Sequence, residues 1–127
     1  MATRSRIGLK LENGDVKSIY CHWDGYPSWN GKILLTHYQT EDKINELLDL
    51  GDISSLNELV SASEGVTHTF DSPAENVTVA YGRDRGESSS NIKTKITSEN
   101  TFYNDLGEEY NYLFKDGNWY CDGSLLT

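Results

Sequence analysis

Alternating apolar and polar positions open the chain. Ile7, Leu9 and Leu11 alternate with Gly8 and Lys10, the run Glu12-Asn13-Gly14-Asp15 follows, and a second stretch reaches from Val16 to Trp23. Asn-Gly between two such stretches predicts a β-hairpin, because a type I′ turn needs positive φ at both central residues. That turn pairs Leu11 with Val16, Leu9 with Ser18 and Ile7 with Tyr20. It gathers Ile7, Leu9, Leu11, Val16, Tyr20 and His22 on one face and leaves Lys10, Lys17, Ile19, Cys21 and Trp23 on the other. A single bulge would reverse the alternation.

Helical spacing follows. Residues 24–31 read as a loop feeding a helix over roughly 28–38, with Pro27 suited to its start. Thr40 caps a second helix in which Glu41 and Asp42 sit at the positive end, Ile44, Leu47 and Leu48 form the buried stripe, and Gly51 ends it. Ser55 and Glu58 have capping-box spacing, which predicts a short helical turn over 54–60. Strand patterns return at Val66–Phe70, broken by Asp71-Ser72-Pro73, and at Val77, Val79 and Tyr81. A flexible loop over 86–91 precedes a further pairing segment at Ile92–Ile96, and Ser98 caps one short helix that Gly107 ends. The last element is a hairpin from Tyr110 to Cys121 around Asp116-Gly117, pairing Phe114 with Trp119 and Tyr112 with Cys121.

This order predicts an α+β fold over residues 1–127 as a single domain. It consists of an antiparallel sheet with N- and C-terminal β-hairpins and two to three helices packed on one face. The length of 127 residues and a hydrophobic share of 36% suit one globular unit. The longest purely apolar run is Ile33-Leu34-Leu35, far short of the roughly 20 residues of a membrane span. The N-terminus has no apolar stretch of the kind a signal peptide needs. Cys21 and Cys121 are too few for a disulfide framework, which fits a reducing compartment.

Charge changes the picture once it is divided along the chain. The formal charge is −9, and residues 41–80 hold nine acidic side chains against one basic. Such a chain repels bare phosphate backbones, so non-specific nucleic-acid binding is not expected. A few local arginines could still hold a small anion, or the acidic face could meet a basic protein. A plain solvated helical surface accounts for the same acidic run.

Two stretches concentrate chemistry. Tyr20-Cys21-His22-Trp23-Asp24-Gly25-Tyr26-Pro27 places polar and aromatic tips where a strand gives way to a loop. Cys21 and His22 are adjacent and point to opposite faces of a strand, so they cannot form a nucleophile pair. The stretch is then either a packed aromatic corner or a ligand-facing surface of His22, Trp23, Asp24 and Tyr26. The second stretch is Tyr81-Gly82-Arg83-Asp84-Arg85-Gly86-Glu87. If the strand continues, Arg83 and Arg85 project on one side and can grip a phosphate or carboxylate, with Tyr81 available for stacking. Alternatives are surface ion pairs, or a structural clasp around Asp84 or Glu87. His22, His37 and His68 lack metal-ligand spacing, and phosphate-loop, dinucleotide and nucleophile-elbow motifs are missing. No metal, no other cofactor and no catalytic residue is expected.

Several blocks carry a resemblance. The run Ser18–Pro27 with Gly31, Leu34 and Tyr38 resembles a family of small, uncharacterised proteins of bacteriophages and mobile elements. Gly51–Leu56, Arg83–Glu87 and Tyr112–Tyr120 look like its other shared blocks. The resemblance implies a phage-type accessory protein, for counter-defence or host takeover, acting in the host bacterial cytoplasm, and it implies no enzyme.

Three functional expectations follow. The first is a non-catalytic binding protein for a small phosphorylated or nucleotide ligand, with phosphate on Arg83 and Arg85 and a base on Trp23, Tyr26 or Tyr81. A homo-oligomer could deepen so small a pocket. The second is an acidic inhibitor that covers a basic host protein with residues 41–75. The third is a small hydrolase built on His22 and Asp24 with an acidic partner.

Overall fold

The structure, a computed structural model, describes residues 2–127. Strands β1 (Ser5–Lys10) and β2 (Val16–Cys21) form the expected first hairpin. A π-helical turn (Pro27–Gly31) runs into α1 (Lys32–His37), and α2 (Glu41–Leu48) follows. Then come β3 (Ile53–Ser55), β4 (Val79–Ala80) and α3 (Tyr81–Arg85). A single 3₁₀ turn (Ser90–Ile92) leads to β5 (Lys95–Thr97) and α4 (Glu99–Asn104). The chain closes with β6 (Tyr110–Lys115), β7 (Asn118–Cys121) and β8 (Ser124–Leu125).

The fold is α+β. One sheet has the order β4-β3-β2-β1-β6-β7-β8, with β5 joining β2 beside β3. It is mixed rather than wholly antiparallel: β1 pairs in parallel with β6, and β2 with β3. Consecutive strands had been expected to pair as hairpins, but the long segment between β1 and β6 brings β6 back alongside β1 in the same direction.

The first hairpin has a different register from the expected one. Leu11 N–H donates to Asp15 O at 2.8 Å and Gly14 N–H donates to Leu11 O at 3.0 Å, with Gly14 at φ 91°. The turn thus has three loop residues and a glycine bulge, not two residues of type I′. Ile7 therefore faces Ile19, Leu9 faces Lys17 and Lys10 faces Val16. The shift puts Ile19 and Cys21 with Ile7 and Leu9, and moves Val16 to the other face, where it meets Phe102 and Leu113.

Helices accordingly cover both faces, not one. Leu34 and Tyr38 of the first helical segment, with Ile44, Leu47 and Leu48 of α2, pack on Ile7, Leu9, Ile19, Tyr112, Phe114 and Trp119. On the opposite face α4 contributes Phe102. Thr40 Oγ1 caps α2 through Lys43 N–H, Ser98 Oγ caps α4 through Thr101 N–H, and Gly51 leaves α2 at φ 78°. The closing hairpin pairs Phe114 with Trp119 and Tyr112 with Cys121 as expected.

Three local expectations are corrected. Residues 54–60 form no helix, because Ile53–Ser55 extends to pair with β2 and β4. Residues 66–70 are irregular. The strand beginning at Val79 stops at Ala80, and Tyr81–Arg85 is helical, with Gly86 at φ 79° ending it. Among the described residues no helix is long and apolar enough to cross a membrane.

Candidate functional site

The strand-to-loop corner is built on a rigid base. His22 N–H and Trp23 N–H continue the β2–β3 ladder by donating to Ile53 O and Ser54 O at 3.2 and 3.0 Å. Asp24 then takes φ 56°, which reverses the chain. Gly25 fits where a side chain could not, since a Cβ there would lie 2.8 Å from both Ser5 Cβ and Thr3 O. Its N–H donates to Thr3 O at 2.8 Å, and the buried Tyr112 hydroxyl donates to its carbonyl at 2.6 Å. Beneath the loop, buried Asn30 donates to Ser5 Oγ at 3.2 Å.

On this base the expected residues form two separate pairs. Tyr20 Oη lies 2.7 Å from His22 Nδ1, and the His22 ring stands edge-on to Trp23 at 4.7 Å. Burial, with help from Glu108, pushes the Tyr20 phenol up to about 12, so it stays neutral across the physiological range. Tyr26 Oη donates to Asp24 Oδ1 at 3.1 Å. The Asp24 carboxylate thus partners Tyr26 while His22 partners Tyr20. Trp23 and Trp29 project with 44% and 43% of their surface exposed. Cys21 is buried on the other face, and burial pushes its thiol up to about 11, leaving it unreactive.

In the second stretch the helix changes which residues share a side. Residues four apart on a helix are neighbours, while those two apart diverge. Tyr81 and Arg85 fall together, and Arg83 turns the other way. Every donor direction of Arg83 is taken: Nε and Nη2 donate to Asp84 at 2.9 and 3.0 Å, Nη1 to Val60 O and Ser61 Oγ at 2.7 and 3.0 Å, and Nη2 also to Thr78 O at 2.8 Å. The clasp alternative is the one realised for Arg83, and the two arginines do not form a joint anion grip.

Asp84 is the hub of that clasp. Its side chain is 4% exposed. Besides Arg83 it accepts Ala80 N–H at 2.8 Å and lies 3.1 Å from His68 Nε2. Burial alone would raise this carboxyl, but the Arg83 guanidinium and the Ala80 N–H outweigh it and hold Asp84 below its ordinary value. His68 Nδ1 accepts Ala74 N–H at 2.9 Å, which leaves the ring hydrogen on Nε2. Both ring nitrogens are thus committed.

Arg85 takes the surface ion-pair alternative, without a hydrogen bond. Its guanidinium lies over the Phe70 ring at 5.1 Å and the Tyr81 ring at 6.0 Å. The nearest acid is Glu87, 3.7 Å away, and half of the Arg85 side chain is open to solvent. An open cleft of about 400 Å³ adjoins it, lined by Thr69, Phe70, Asp71, Asp84 and Arg85.

One buried residue joins the two stretches. Asp52 Oδ1 accepts Tyr20 N–H at 2.9 Å while Asp52 O accepts Tyr81 N–H at 3.3 Å. Burial raises the Asp52 carboxyl, against the pull of the Tyr20 N–H and Arg6. No hydrogen bond or ring contact links His22 or Trp23 directly to Tyr81 or Arg85 among the described residues. Nor do these residues bring together three His, Cys, Asp or Glu side chains able to hold a metal ion. Sequence reasoning missed Phe70, His68 and Asp52. The first two lie within residues 66–70, which read as a strand but are irregular in the structure. Asp52 lies within a block noted only for its resemblance.

No protein-family model, no curated protein and no solved structure matches the chain.

Proposed function

We propose that this protein is a non-catalytic binding protein for a small anionic ligand with an aromatic part, such as a nucleotide. The observation that carries the reading is the state of Arg85: a half-exposed guanidinium over the Phe70 ring and near that of Tyr81, bordering an open cleft, with an ion pair to Glu87 but no hydrogen bond. A guanidinium held over an aromatic ring without hydrogen bonds keeps its N–H groups for an oxyanion. Arg83 supports the site by holding Asp84 and the Phe70 segment, while Tyr81 adds an aromatic face. His22, Trp23, Asp24 and Tyr26 form a separate, partly exposed aromatic surface that lines no part of this cleft and offers a second place for an aromatic ligand.

In biological terms this reading makes the chain a phage-type accessory protein that sequesters a host nucleotide in the bacterial cytoplasm. A homo-oligomer that places a second copy over the open cleft would enclose the ligand more fully.

Native mass spectrometry of the protein purified from bacterial cells, and re-equilibrated with a bacterial nucleotide extract, tests the reading. A stoichiometric adduct that disappears in Arg85→Ala supports it. A bare protein after such loading, or an adduct that survives Arg85→Ala, overturns it.

A second reading has its own support. Glu41, Asp42 and Glu46 are exposed on α2. That face could cover a basic protein, and such binding would fall steeply with salt.

A further inference from the structure

The charges around Arg85 restrict what the cleft can hold. Arg83 and Asp84 offset each other through two hydrogen bonds, so that pair contributes little net field. Among the described residues Arg85 is then the one cation lining the cleft; it makes an ion pair with Glu87 but no hydrogen bond, and two carboxylates stand by it. Asp71 is exposed and lines the same cleft, and Glu87 lies 3.7 Å from the Arg85 guanidinium. The whole chain carries −9, so no long-range field compensates. A terminal phosphate, with about 1.5–2 negative charges at neutral pH, brings more charge than one guanidinium can neutralise and meets Asp71 and Glu87 as like charges. A phosphodiester brings one. Its two non-bridging oxygens match the planar fork of an arginine. Asp71 then becomes useful, because a carboxylate accepts hydrogen bonds from hydroxyl or amino groups, and Phe70 presents a ring against which a base can pack.

We infer that the Arg85 cleft selects a singly charged nucleoside phosphodiester, with the diester on Arg85, the base against Phe70 and a sugar hydroxyl or base amine on Asp71, and that it rejects nucleotides ending in free phosphates. This inference rests on the capture reading above and adds the class of ligand to it.

Isothermal titration of the full chain with cyclic adenosine monophosphate, adenosine monophosphate and adenosine triphosphate tests it. Cyclic adenosine monophosphate is expected to bind tightest and the triphosphate weakest. Arg85→Ala should weaken the cyclic nucleotide by about tenfold or more, the scale of a charge-assisted hydrogen bond. Asp71→Asn and Glu87→Gln should each improve triphosphate binding by about three- to fivefold, the scale of one exposed charge pair. Both variants change surface side chains, and their circular dichroism should match that of the parent.

Tightest binding of the triphosphate, lost in Arg85→Ala, overturns the single-charge inference while leaving the capture reading standing. Binding of all three that ignores Arg85→Ala overturns both, and so does failure of all three to bind.

Discussion

Arg83 and Asp84 are neighbours in the chain, and their side chains grip each other twice, Nε to Oδ1 at 2.9 Å and Nη2 to Oδ2 at 3.0 Å. Adjacent residues on a helix seldom face one another. Here the short helix α3 sits at the sheet edge, where Val60, Ser61 and Thr78 supply the remaining acceptors for the guanidinium. The pair ties the edge strand, the helix and the irregular segment before it into one unit.

Removing Arg83 should therefore damage the fold. Arg83→Ala leaves a carboxylate that is 4% exposed without its counterion, a change that costs about 3–5 kcal/mol in buried pairs. Arg85→Ala removes a half-exposed side chain and its contact with Phe70, and should cost only about 0.5–1 kcal/mol. Urea denaturation of the two variants measures the contrast, and equal midpoints would remove the structural role assigned to Arg83.

Acid should expose the same hub. Asp84 is held below its ordinary value in the folded chain, whereas an unfolded aspartate titrates near about 3.9. A depressed native value gives stability that is fully present above the unfolded value and lost as pH falls through the native one. Denaturation midpoints should thus drop as the pH falls below about 4. Arg83→Gln should flatten the Asp84 share of that fall, because burial then opposes ionisation. An acid limb of unchanged size in Arg83→Gln would place the responsible carboxylate elsewhere.

These hubs also mark the boundary of what the sequence alone reveals. Thr40, Ser98 and Gly51 act through hydrogen bonds or backbone angles within a few residues, and each was legible. The closing hairpin was legible to its register because Asp116-Gly117 forms the two-residue turn that its strands require. In the first hairpin Asn13-Gly14 announces a turn, but two- and three-residue loops share that signal. One extra residue moved Val16 and Ile19 to opposite faces from those expected. Tyr81 continues the alternation of Val77 and Val79, so the pattern reads on as strand, while the helix is marked by a local contact in which Asp84 accepts the Ala80 N–H four residues back. Phe70 reaches Arg85 from residues 66–70, whose alternation reads as a strand although the segment is irregular.

The register has its own test in Gly8. A Cβ at this position would lie 2.8 Å from Val16 Cγ1 and 2.9 Å from Phe102 Cε1, contacts that exist only because Val16 faces α4. Gly8→Ala should destabilise the chain by about 1–3 kcal/mol through overpacking, and Gly8→Ala combined with Phe102→Leu should recover part of the loss. A neutral Gly8→Ala would contradict the observed register.

Tyr112 provides a test of the loop that carries His22 and Trp23. Its hydroxyl donates to Gly25 O at 2.6 Å from within the core, although Tyr112 and Gly25 belong to opposite ends of the chain. Tyr112→Phe should cost about 0.5–1.5 kcal/mol, the net value of one hydrogen bond. It should also increase protease cleavage within residues 24–31 while leaving β1 and β6 protected from hydrogen exchange. Uniform loss of protection across the sheet would mean that the hydroxyl supports the core rather than the loop.

The two functional readings separate at α2. A ligand captured through Arg85 should be indifferent to the exposed acids of α2, none of which lines the Arg85 cleft, because exposed charges that make no contact are weakened by screening at physiological salt. Combined Glu41→Gln, Asp42→Asn and Glu46→Gln should leave cyclic adenosine monophosphate binding unchanged, with Asp49 kept because it pairs with Lys17 at 2.7 Å. Arg85→Lys keeps the charge but removes the planar fork and the stacking on Phe70, so it should weaken binding by about tenfold, the scale of one charge-assisted hydrogen bond. An inhibitor acting through its acidic face predicts the reverse: the triple variant loses capture of a basic partner and Arg85→Lys behaves as wild type. Titrating both proteins against the cyclic nucleotide and against a poly-lysine peptide at two salt concentrations decides between them, since a nucleotide site at Arg85 and an acidic docking face cannot both explain loss in only one variant.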